Sequence, residues 1–491
     1  MLIRYQYPYP YPLIRLFVYS FIRLFVYSFI RLFVYSCQHD GSRRQPEENE
    51  PVTSANIPAV DFRDKLIRYG SDFYPEIVEK AQGCYVWDAA GKKILDFTSG
   101  QMCATVGHSH PNVVAAIKKS CDTALHLFSG MIPRSVVELS NAIAKIVPRP
   151  LRKSLFLNTG SESNDAAIKM AKLYTGGFEV IGLGGSWHGV TGNAGAVSFA
   201  SDRRGYGPGM PGSFVLPEPN AYRCPVKHCR DKCDRTCMKV GFEMYDMQSS
   251  GAPAAVIAEP VISAGGVIVP PDGYFNALQA EAKKRGMLLI FDEAQTAFGR
   301  LGHWFAASHL GVTPDIMTVS KTLGGGMPLA GVITNDAVEQ RCHERGFAFY
   351  TSHVSDPLPA TIGLAVLETI EQENLLERSR DMGEYLAAGL AQLQSRHEEI
   401  GEVRGMGLLR GIELVKSRET REPYHALGGL TTKRCLELGL SMNIRRRPER
   451  GSVWRIAPPL TVSKPDIDLA MSIFDRALKD AKDELARQPR S

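Results

Sequence analysis

The sequence predicts an α/β protein with a large domain built on a mostly parallel sheet between helices, plus a smaller α+β domain. Two short apolar runs support the sheet, because each has the length of a buried strand: 286–291 ends at Asp292, and 316–319 stops just before Lys321. A helix-period pattern over 166–173 follows a turn rich in Gly and Ser. A chain of 491 residues can bury a large core, and we expect two packed units.

Lys321 lies between the second apolar run and three consecutive glycines at 324–326. Glycines let the backbone approach a bulky ligand closely. A lysine amine at the end of a buried strand is placed to act as a nucleophile. The alternative is a lysine that extends into solvent from a glycine-rich turn.

A carboxylate precedes this lysine by 29 residues, at Asp292. The carboxyl ends of parallel strands meet at one edge of a sheet, where α/β proteins bind ligands. An amine and a carboxylate at that edge are what a pyridoxal 5'-phosphate (PLP) site needs. The amine forms a Schiff base with the cofactor, and the carboxylate keeps its pyridine nitrogen protonated. A simple salt bridge between Asp292 and Lys321 is the alternative.

Four motifs resemble those of the class III, fold-type I aminotransferases: Asp292-Glu-Ala-Gln295, Gly299-Arg300, Pro314-Asp315-Ile316 and Ser320-Lys321. The segment 350–359, which begins Tyr-Thr-Ser-His and ends Asp-Pro-Leu-Pro, is similar to the 2,2-dialkylglycine decarboxylase branch of that family. The similarity covers residues 66–478 and implies the fold of a fold-type I PLP transferase.

The resemblance implies a decarboxylating transaminase that acts on 2,2-dialkylglycines such as 2-aminoisobutyrate. Pyruvate would accept the amino group, and the products would be a ketone, CO₂ and alanine. One alternative is an ordinary class III aminotransferase of another amino acid or amine. A more remote alternative is a non-catalytic relative that acts as a binding protein. The expected small-molecule partners are therefore an amino acid and a keto acid.

The resemblance also implies a domain division and an assembly. Residues 59–125 would contribute to the small domain, 126–362 would form the large PLP-binding domain, and 363–491 would complete the small domain. We expect a homodimer or a dimer of dimers with shared active sites. In such an assembly, Ser352 would reach the phosphate of the neighbouring subunit's cofactor.

Three small residues, Thr159, Gly160 and Ser161, precede the predicted helix. Free N–H groups at a helix start bind anions, so we interpret these residues as the phosphate cup. An ordinary N-terminal helix cap predicts the same residues. The resemblance adds Gln295 as a cofactor contact and Trp187 as an indole that stacks on the pyridine ring beside the substrate. For Trp187 alone, packing in the core is the alternative.

The resemblance places Gln101 and Arg455 against the substrate. Gln101 would contact the substrate carboxylate, and it joins Lys321 and Asp292 as the catalytic set. Arg455 would hold an α-carboxylate by a two-pronged hydrogen bond, for which a guanidinium is suited. Ala264 stands where amine-handling members carry a glutamate that covers this arginine, which argues against an ω-aminotransferase.

The same resemblance suggests an alkali-cation site for K⁺ or Na⁺. A hard monovalent ion prefers carbonyl, hydroxyl and carboxylate oxygens. The positions that would supply them are Leu127, Ser129, Ser352, Val354 and Asp356. A solvated loop is the alternative.

The first 58 residues read as a low-complexity extension and a linker. An eight-residue unit repeats at 13–20, 21–28 and 29–36, and arginines interrupt its apolar runs, so a membrane span of about 20 residues is not available. An Arg-rich, acid-free start is typical of a mitochondrial transit peptide, whereas a tandem duplication or a wrong gene start explains the repeats better. Polar, proline-containing residues at 40–58 predict a disordered linker.

Four of the ten cysteines form a group at Cys224, Cys229, Cys233 and Cys237. Spacings of four would place the last three on one helical face. The group is either a thiolate metal site or a set of surface thiols. No clear secretory signal precedes the cysteines, so we expect a reducing compartment, the cytoplasm or, with a transit peptide, the mitochondrion.

The net charge of +5 is small for this length and gives no nucleic-acid footprint. The densest basic cluster is the run 445–447, Arg-Arg-Arg, which we interpret as a solvated surface run. Neither nucleic acid nor a membrane is therefore an expected partner.

Overall fold

The computed structural model describes residues 65–70, 73–74, 76–200, 205–226, 229, 233–447 and 451–487. The chain forms two compact units, Met1–Phe73 and Tyr74–Ser491. In the described part of the first unit, the rings of Tyr69 and Phe73 meet edge to face, with 5.3 Å between their centroids. The repeat and linker predicted for 1–58 lie outside the described residues.

The described part of the second unit contains the strands and helices of the fold. Its strands are β1 Val78–Gln82, β2 Tyr85–Asp88, β3 Lys93–Asp96, β4 Lys153–Leu157, β5 Glu179–Leu183, β6 Ser213–Leu216, β7 Pro253–Ala258, β8 Leu288–Asp292, β9 Ile316–Val319, β10 Ala330–Thr334, β11 Ile400–Met406, β12 Leu409–Leu414, β13 Leu440–Ser441, β14 Asn443–Arg447 and β15 Gly451–Ile456. Its helices are α1 Ser99–Met102, α2 Pro111–Cys121, α3 Arg134–Ile146, α4 Gly160–Thr175, α5 Gly192–Ala196, α6 Thr236–Gln248, α7 Tyr274–Lys284, α8 Ala306–Leu310, α9 Asp336–Glu344, α10 Pro357–Gln372, α11 Leu375–Arg396, α12 His425–Glu437 and α13 Lys464–Arg487.

The largest sheet has seven strands in the order β4-β10-β9-β8-β7-β5-β6. Strands β9, β8, β7, β5 and β6 are mutually parallel, and β10 runs antiparallel to both of its neighbours. The predicted α/β class and the mostly parallel sheet are therefore confirmed.

This sheet is packed on both faces, as its strands of continuous apolar residues require. In β8, Ile290 packs in a core cluster with Ile168 of α4, while its neighbours Leu289 and Phe291 pack in a second cluster with Leu278 of α7. Successive side chains of a strand point to opposite faces, so the two clusters lie on opposite sides of the sheet. The predicted sandwich of helices around the sheet is confirmed.

Two four-stranded sheets complete the second unit, in the orders β1-β2-β3-β13 and β11-β12-β15-β14. Strands β2 and β3 form an antiparallel hairpin, and β3 pairs in parallel with β13, which lies more than 300 residues later in the chain. The boundaries of the predicted domains stay a prediction. Within the described residues, no helix combines the length and apolar character of a membrane span.

Candidate active site

Four strands of the large sheet deliver polar residues to its carboxyl edge. Trp187 follows β5, Glu259 follows β7, Asp292 ends β8, and Lys321 follows β9. The strands are parallel and adjacent, with Asp292 in register with Thr318 of β9. The topology therefore gathers these four side chains at one place, as the sequence predicted for Asp292 and Lys321.

A cavity of about 160 Å³ lies at this edge. Six of the predicted site residues line it: Gln101, Trp187, Asp292, Gln295, Lys321 and Arg455. Other residues that contribute to its wall are Glu259, Ala264, Asn443 and Arg445. The cavity thus combines two buried carboxylates, an amine and two guanidiniums.

The carboxylate of Asp292 is held by three donors. His188 Nδ1 lies 2.8 Å and Asn164 Nδ2 lies 2.8 Å from Oδ2, and the backbone N–H of Ala294 donates to Oδ1 over 3.0 Å. Burial raises the pKa of Asp292, but the hydrogen bond from His188 and the positive charges nearby outweigh it, so the pKa lies below its ordinary value. The group therefore stays ionised, as a partner for a protonated ring nitrogen must.

Asn164 fixes this arrangement and was not assigned a role from the sequence. Its amide also donates to the carbonyl of His188 over 2.7 Å and accepts from Thr318 Oγ1 over 2.7 Å. Residue 164 is inside α4, on the turn that follows the predicted phosphate cup. The start of this helix therefore carries both the predicted cup and the residue that holds Asp292. The sequence around residue 164 shows a polar side chain, but it does not show which carboxylate that side chain contacts.

Lys321 opens a short 3-10 helix, Lys321–Gly324, directly after β9. Its backbone φ is 47°, in the left-handed region that a lysine rarely adopts, so the surroundings hold it in a strained conformation. Among the described residues its amine forms no hydrogen bond or ion pair. The salt bridge with Asp292 that the sequence left open is therefore absent, although both groups face one cavity.

The predicted phosphate cup forms the start of α4. Thr159 caps the helix, with a capping box that it shares with Glu162, so the cap interpretation is confirmed, while the phosphate cup stays a prediction. The backbone N–H groups of Gly160 and Ser161 donate to no other described residue, which leaves them free to bind an anion. A Cβ at Gly160 would lie 3.1 Å from the hydroxyl of Ser320, the neighbour of Lys321, so the cup adjoins the lysine.

Trp187 is held at the cavity wall rather than in the core. It is 36% exposed, and of the four tryptophans it is the one that lines the cavity. Its backbone N–H donates to Glu259 over 2.7 Å. The core-packing alternative for Trp187 is therefore wrong, and its indole is available to a ligand.

Arg455 is buried in the cavity wall on β15. Its Nε and Nη2 donate to Asn443 Oδ1 over 3.1 and 2.8 Å, and Nη1 lies 3.4 Å from Ser263 Oγ. No carboxylate among the described residues pairs with this guanidinium, and Ala264 beside it supplies none. Burial, followed by the charge of Arg445, lowers the pKa of Arg455. An anion that entered the cavity would therefore find a desolvated, unpaired cation.

The basic run at 445–447 is not a solvated surface run. Arg446 is exposed, but Arg445 lines the cavity, and Arg447 donates to the carboxylate of Glu218 over 2.8 Å. The run is part of β14, in which alternate side chains point to opposite faces. The sequence interpretation was wrong because it treated as one group three residues that a strand separates by face.

The predicted partner contact and cation site lie elsewhere on the chain. Ser352 is on an exposed turn outside the cavity of its own chain, and its contact with a neighbouring subunit stays a prediction. Of the proposed cation ligands, Asp356 is buried, and its two carboxylate oxygens lie 2.8 and 2.7 Å from Nδ1 of His126 and His353. Among the described residues, His126, His353 and Asp356 form a group whose possible ligand atoms all lie within 4.8 Å of one another, a spacing at which they could hold a metal ion. The alkali-cation set stays a prediction.

The four cysteines line one small cavity of about 10 Å³ together with Tyr274. Within the described residues, Cys229, Cys233 and Cys237 do not share the predicted helical face, because α6 begins at Thr236 and contains Cys237 alone of the three. Arg235, with φ of 62°, breaks the helix before that point. Cys229 and Cys237 are buried and Cys224 and Cys233 are partly buried, so the group is not a set of surface thiols, and the thiolate metal site stays a prediction.

The family model for class III aminotransferases matches residues 68–478. The chain belongs to this family. It is 46% identical over 430 residues to an uncharacterized aminotransferase of Schizosaccharomyces pombe, a match that covers 87% of this chain and 95% of the relative. It is 34% identical to a leucine/methionine racemase of Thermococcus litoralis, with 84% and 92% of the two chains covered.

A solved class III structure gives the same fold. The ω-transaminase of Pseudomonas jessenii in complex with PMP superposes with a TM-score of 0.80 and 29% identity, over 88% of this chain and 99% of that one. Class III aminotransferases use PLP, and the groups present here fit it. The fit rests on the free N–H groups at Gly160 and Ser161, the ionised Asp292 and the unpaired amine of Lys321. The decarboxylase branch stays a prediction.

Proposed function

We propose that this class III enzyme transfers the amino group of an α-amino acid to a keto acid. The observation that carries this proposal is Arg455, a buried guanidinium at the wall of the cavity that holds Lys321, which pairs with no carboxylate of the described residues. Substrates with an α-carboxylate satisfy that charge, whereas a simple amine leaves it desolvated and unpaired, which costs free energy. The cavity therefore favours amino acids over amines.

Asp292, Lys321, Arg455 and the start of α4 each have a task in this reaction. PLP, when bound, supplies an electron sink for a bond broken at the α-carbon of the substrate. Asp292 provides the fixed negative charge for the ring nitrogen, and the N–H groups of Gly160 and Ser161 hold the phosphate. The amine of Lys321 is free to take the proton from the α-carbon of the amino acid that gives up its amino group. It can give a proton to the α-carbon of the keto acid that receives the amino group. Arg455 orients the substrate by its carboxylate.

Decarboxylating transamination of 2,2-dialkylglycines is the second candidate. The observation in its favour is Gln101, which lines the cavity on the kinked segment after β3 and could hold a carboxylate over the reacting centre. Such a substrate has no α-hydrogen, so the bond to the carboxylate is the one that breaks. Pyruvate would then serve as the amino acceptor, and a ketone, CO₂ and alanine would be released.

Doubly labelled donors separate these reactions in one assay. The purified protein is incubated with PLP, a mixture of keto acids, and either ¹⁵N,1-¹³C-labelled L-amino acids or labelled 2-aminoisobutyrate, and the products are read by mass spectrometry. We expect ¹⁵N to appear in new amino acids while ¹³C stays in the keto acid. Release of ¹³CO₂ from 2-aminoisobutyrate would support the second candidate instead. Inversion of the donor without ¹⁵N transfer would indicate a racemase and overturn both.

The variant Lys321→Ala tests whether the chemistry occurs at this site. The variant Arg446→Gln is the control that shows whether substitution and purification alone reduce activity. We expect the first to lose label transfer and the second to keep it, because Arg446 is exposed on the opposite face of β14. Label transfer by Lys321→Ala equal to that of the wild type would refute the proposed site.

We also propose that the enzyme works as a homodimer or dimer of dimers in the cytoplasm, with the mitochondrion as the alternative compartment. The exposed position of Ser352 supports a shared site, because a hydroxyl outside its own cavity is available to a second subunit. Light scattering gives the assembly. Mixed dimers of Lys321→Ala and Ser352→Ala chains would then be more active than the mean of the two parents if the sites are shared, because one of their two sites would contain both Lys321 and Ser352.

A further inference from the structure

We propose that Arg445 forms a second carboxylate-binding subsite beside Arg455, so that the preferred substrates are a short dicarboxylic keto acid and its amino acid. This inference rests on the proposed function, in which the cavity binds amino and keto acids, and it narrows the substrate class. Oxaloacetate and 2-oxoglutarate, with aspartate and glutamate, are compounds of this class.

The backbone places the two arginines on one face of one sheet. Strands β14 and β15 are antiparallel, and Asn443 is paired with Arg455 while Arg445 is paired with Val453. Paired residues of adjacent strands point to the same face, and alternate residues of one strand do so as well. Asn443, Arg445 and Arg455 therefore face the cavity together, and all three line it.

Arg445 has no partner for its charge among the residues that the structure describes. Its guanidinium forms no hydrogen bond or ion pair with any described residue, and its Nε is a buried nitrogen without an acceptor. Burial lowers the pKa of Arg445, and the nearby charge of Glu259 opposes this shift. A buried donor that lacks an acceptor costs free energy, so the position is stabilised when an anion binds there.

The carboxylates of the cavity are already engaged elsewhere. Glu259 accepts the backbone N–H of Trp187 over 2.7 Å and that of Ser263 over 3.1 Å, one at each oxygen. Asp292 is bound to His188 and Asn164 at the other end of the cavity. The charge of Glu259 acts on both arginines, but among the described residues it forms an ion pair with neither, so both guanidiniums keep their hydrogen-bond donors for the two carboxylates of a dianion.

The spacing of the two arginines fits a short diacid. Arg445 is the diagonal neighbour of Arg455 across the strand pair, a relation in which the two residues are separated by about 7–8 Å. Side chains that leave one face of a sheet at that spacing place two guanidiniums along one wall of the cavity, where a chain of four or five carbons can meet both, whereas a monocarboxylate such as pyruvate meets one. Arg455 would keep the α-carboxylate, because Asn443 already orients it, and Arg445 would take the distal carboxylate.

Binding of unreactive diacids tests the subsite without turnover. The purified holoenzyme is titrated with succinate, glutarate and adipate and with the monoacids butyrate and valerate by isothermal calorimetry. We expect succinate or glutarate to bind at least tenfold more tightly than the monoacids, because a second charge-assisted hydrogen bond is formed. Equal affinities for diacids and monoacids would overturn the subsite.

The variants Arg445→Gln and Arg445→Lys are compared with the matched control Arg446→Gln, its neighbour on the opposite face of the strand. We expect Arg445→Gln to weaken diacid binding about 10- to 100-fold and to leave monoacid binding unchanged. Arg445→Lys should restore part of the loss, and Arg446→Gln should bind as the wild type does. A loss by Arg445→Gln that is equal for diacids and monoacids would place Arg445 on the α-carboxylate and overturn the assignment.

Steady-state kinetics then separate this inference from the proposed function. The kcat/KM values for oxaloacetate and 2-oxoglutarate are compared with that for pyruvate. Amino transfer to pyruvate in preference to both diacids would refute the subsite but keep the aminotransferase. Tight diacid binding without any amino transfer would keep the subsite and refute the proposed function.

Discussion

Replacement of Ala264 by glutamate should change which substrates the cavity accepts. Ala264 is buried, lines the cavity and lies next to Ser263, whose hydroxyl is 3.4 Å from Arg455. A carboxylate at this position would reach the one guanidinium that the proposed function reserves for the substrate. An amino or keto acid would then have to displace it, whereas an amine without a carboxylate would find the charge of Arg455 already neutralised.

The magnitude follows from the strength of the bond that the substrate must replace. A charge-assisted hydrogen bond in a buried site contributes about 1.5–3 kcal/mol, which corresponds to about 10- to 100-fold in affinity. We therefore expect Ala264→Glu to raise KM for keto acids by about 10- to 100-fold. The reaction of a carboxylate-free amine such as benzylamine should be unchanged or faster.

The control is Ala264→Gln, which has nearly the same size but no charge. Label transfer is measured for an amino acid and for benzylamine, and the ratio of the two kcat/KM values is compared among the wild type and both variants. We expect the ratio to fall about 10- to 100-fold for Ala264→Glu and to change little for Ala264→Gln. Equal ratios for the two variants would mean that bulk, and not charge, acts at this position, and would refute the role given to Arg455.

Three further outcomes test the site and its surroundings. Asn164→Leu removes two neutral hydrogen bonds and one to a carboxylate, so we expect it to lower the free energy of unfolding by about 3–5 kcal/mol in denaturant titrations. The control Asn112→Leu loses one neutral hydrogen bond and should lower it by about 1 kcal/mol. Burial raises the pKa of Glu259 to about 7, so this buried carboxyl contributes stability that is present below its unfolded pKa and is lost as the pH rises through 7. Glu259→Gln should therefore flatten the part of the melting-temperature profile between about pH 4.5 and 7, and an unchanged slope would contradict the shift. In timed alkylation read by mass spectrometry, the exposed Cys121 should react before the buried Cys237, whose pKa burial raises to about 11, and the reverse order would be inconsistent with this packing.

The sequence predicted the cofactor end of the site well, for a physical reason. Asp292 and Lys321 each follow a short apolar run, and a parallel sheet brings such strand ends together whatever lies between them in the chain. The family resemblance, and not local sequence, places Gln295 and Trp187 at the site, because the sequence alone favours core packing for Trp187. Residues next to strand ends could be placed before the structure was available.

Residues whose role depends on distant partners could not be placed in this way. Asn164 reaches a carboxylate 128 positions later in the chain. Arg445 was assigned to a surface run because three adjacent arginines suggest solvation, and only the pairing of β14 with β15 shows which of them turns inward. The signal that could have identified Arg445 is the alternation expected of a strand over 443–447, because it separates Arg445 from Arg446 and places Arg445 on the same face as Asn443. The cysteines gave a similar error, because a spacing of four predicts a shared face only where one helix is continuous.

The two ends of the cavity are built by different sheets, which separates chemistry from recognition. The seven-stranded sheet supplies Asp292 and Lys321, and the β11-β12-β15-β14 sheet supplies Arg445 and Arg455. The contacts that hold Asp292, namely those with His188 and Asn164, involve no residue of the second sheet. A substitution on the inward face of β14 or β15 can therefore change which substrate binds without breaking the hydrogen bonds that hold Asp292. For this reason, differences in substrate between this enzyme and its class III relatives should lie on that face, and the shared chemistry should lie at the edge of the parallel sheet.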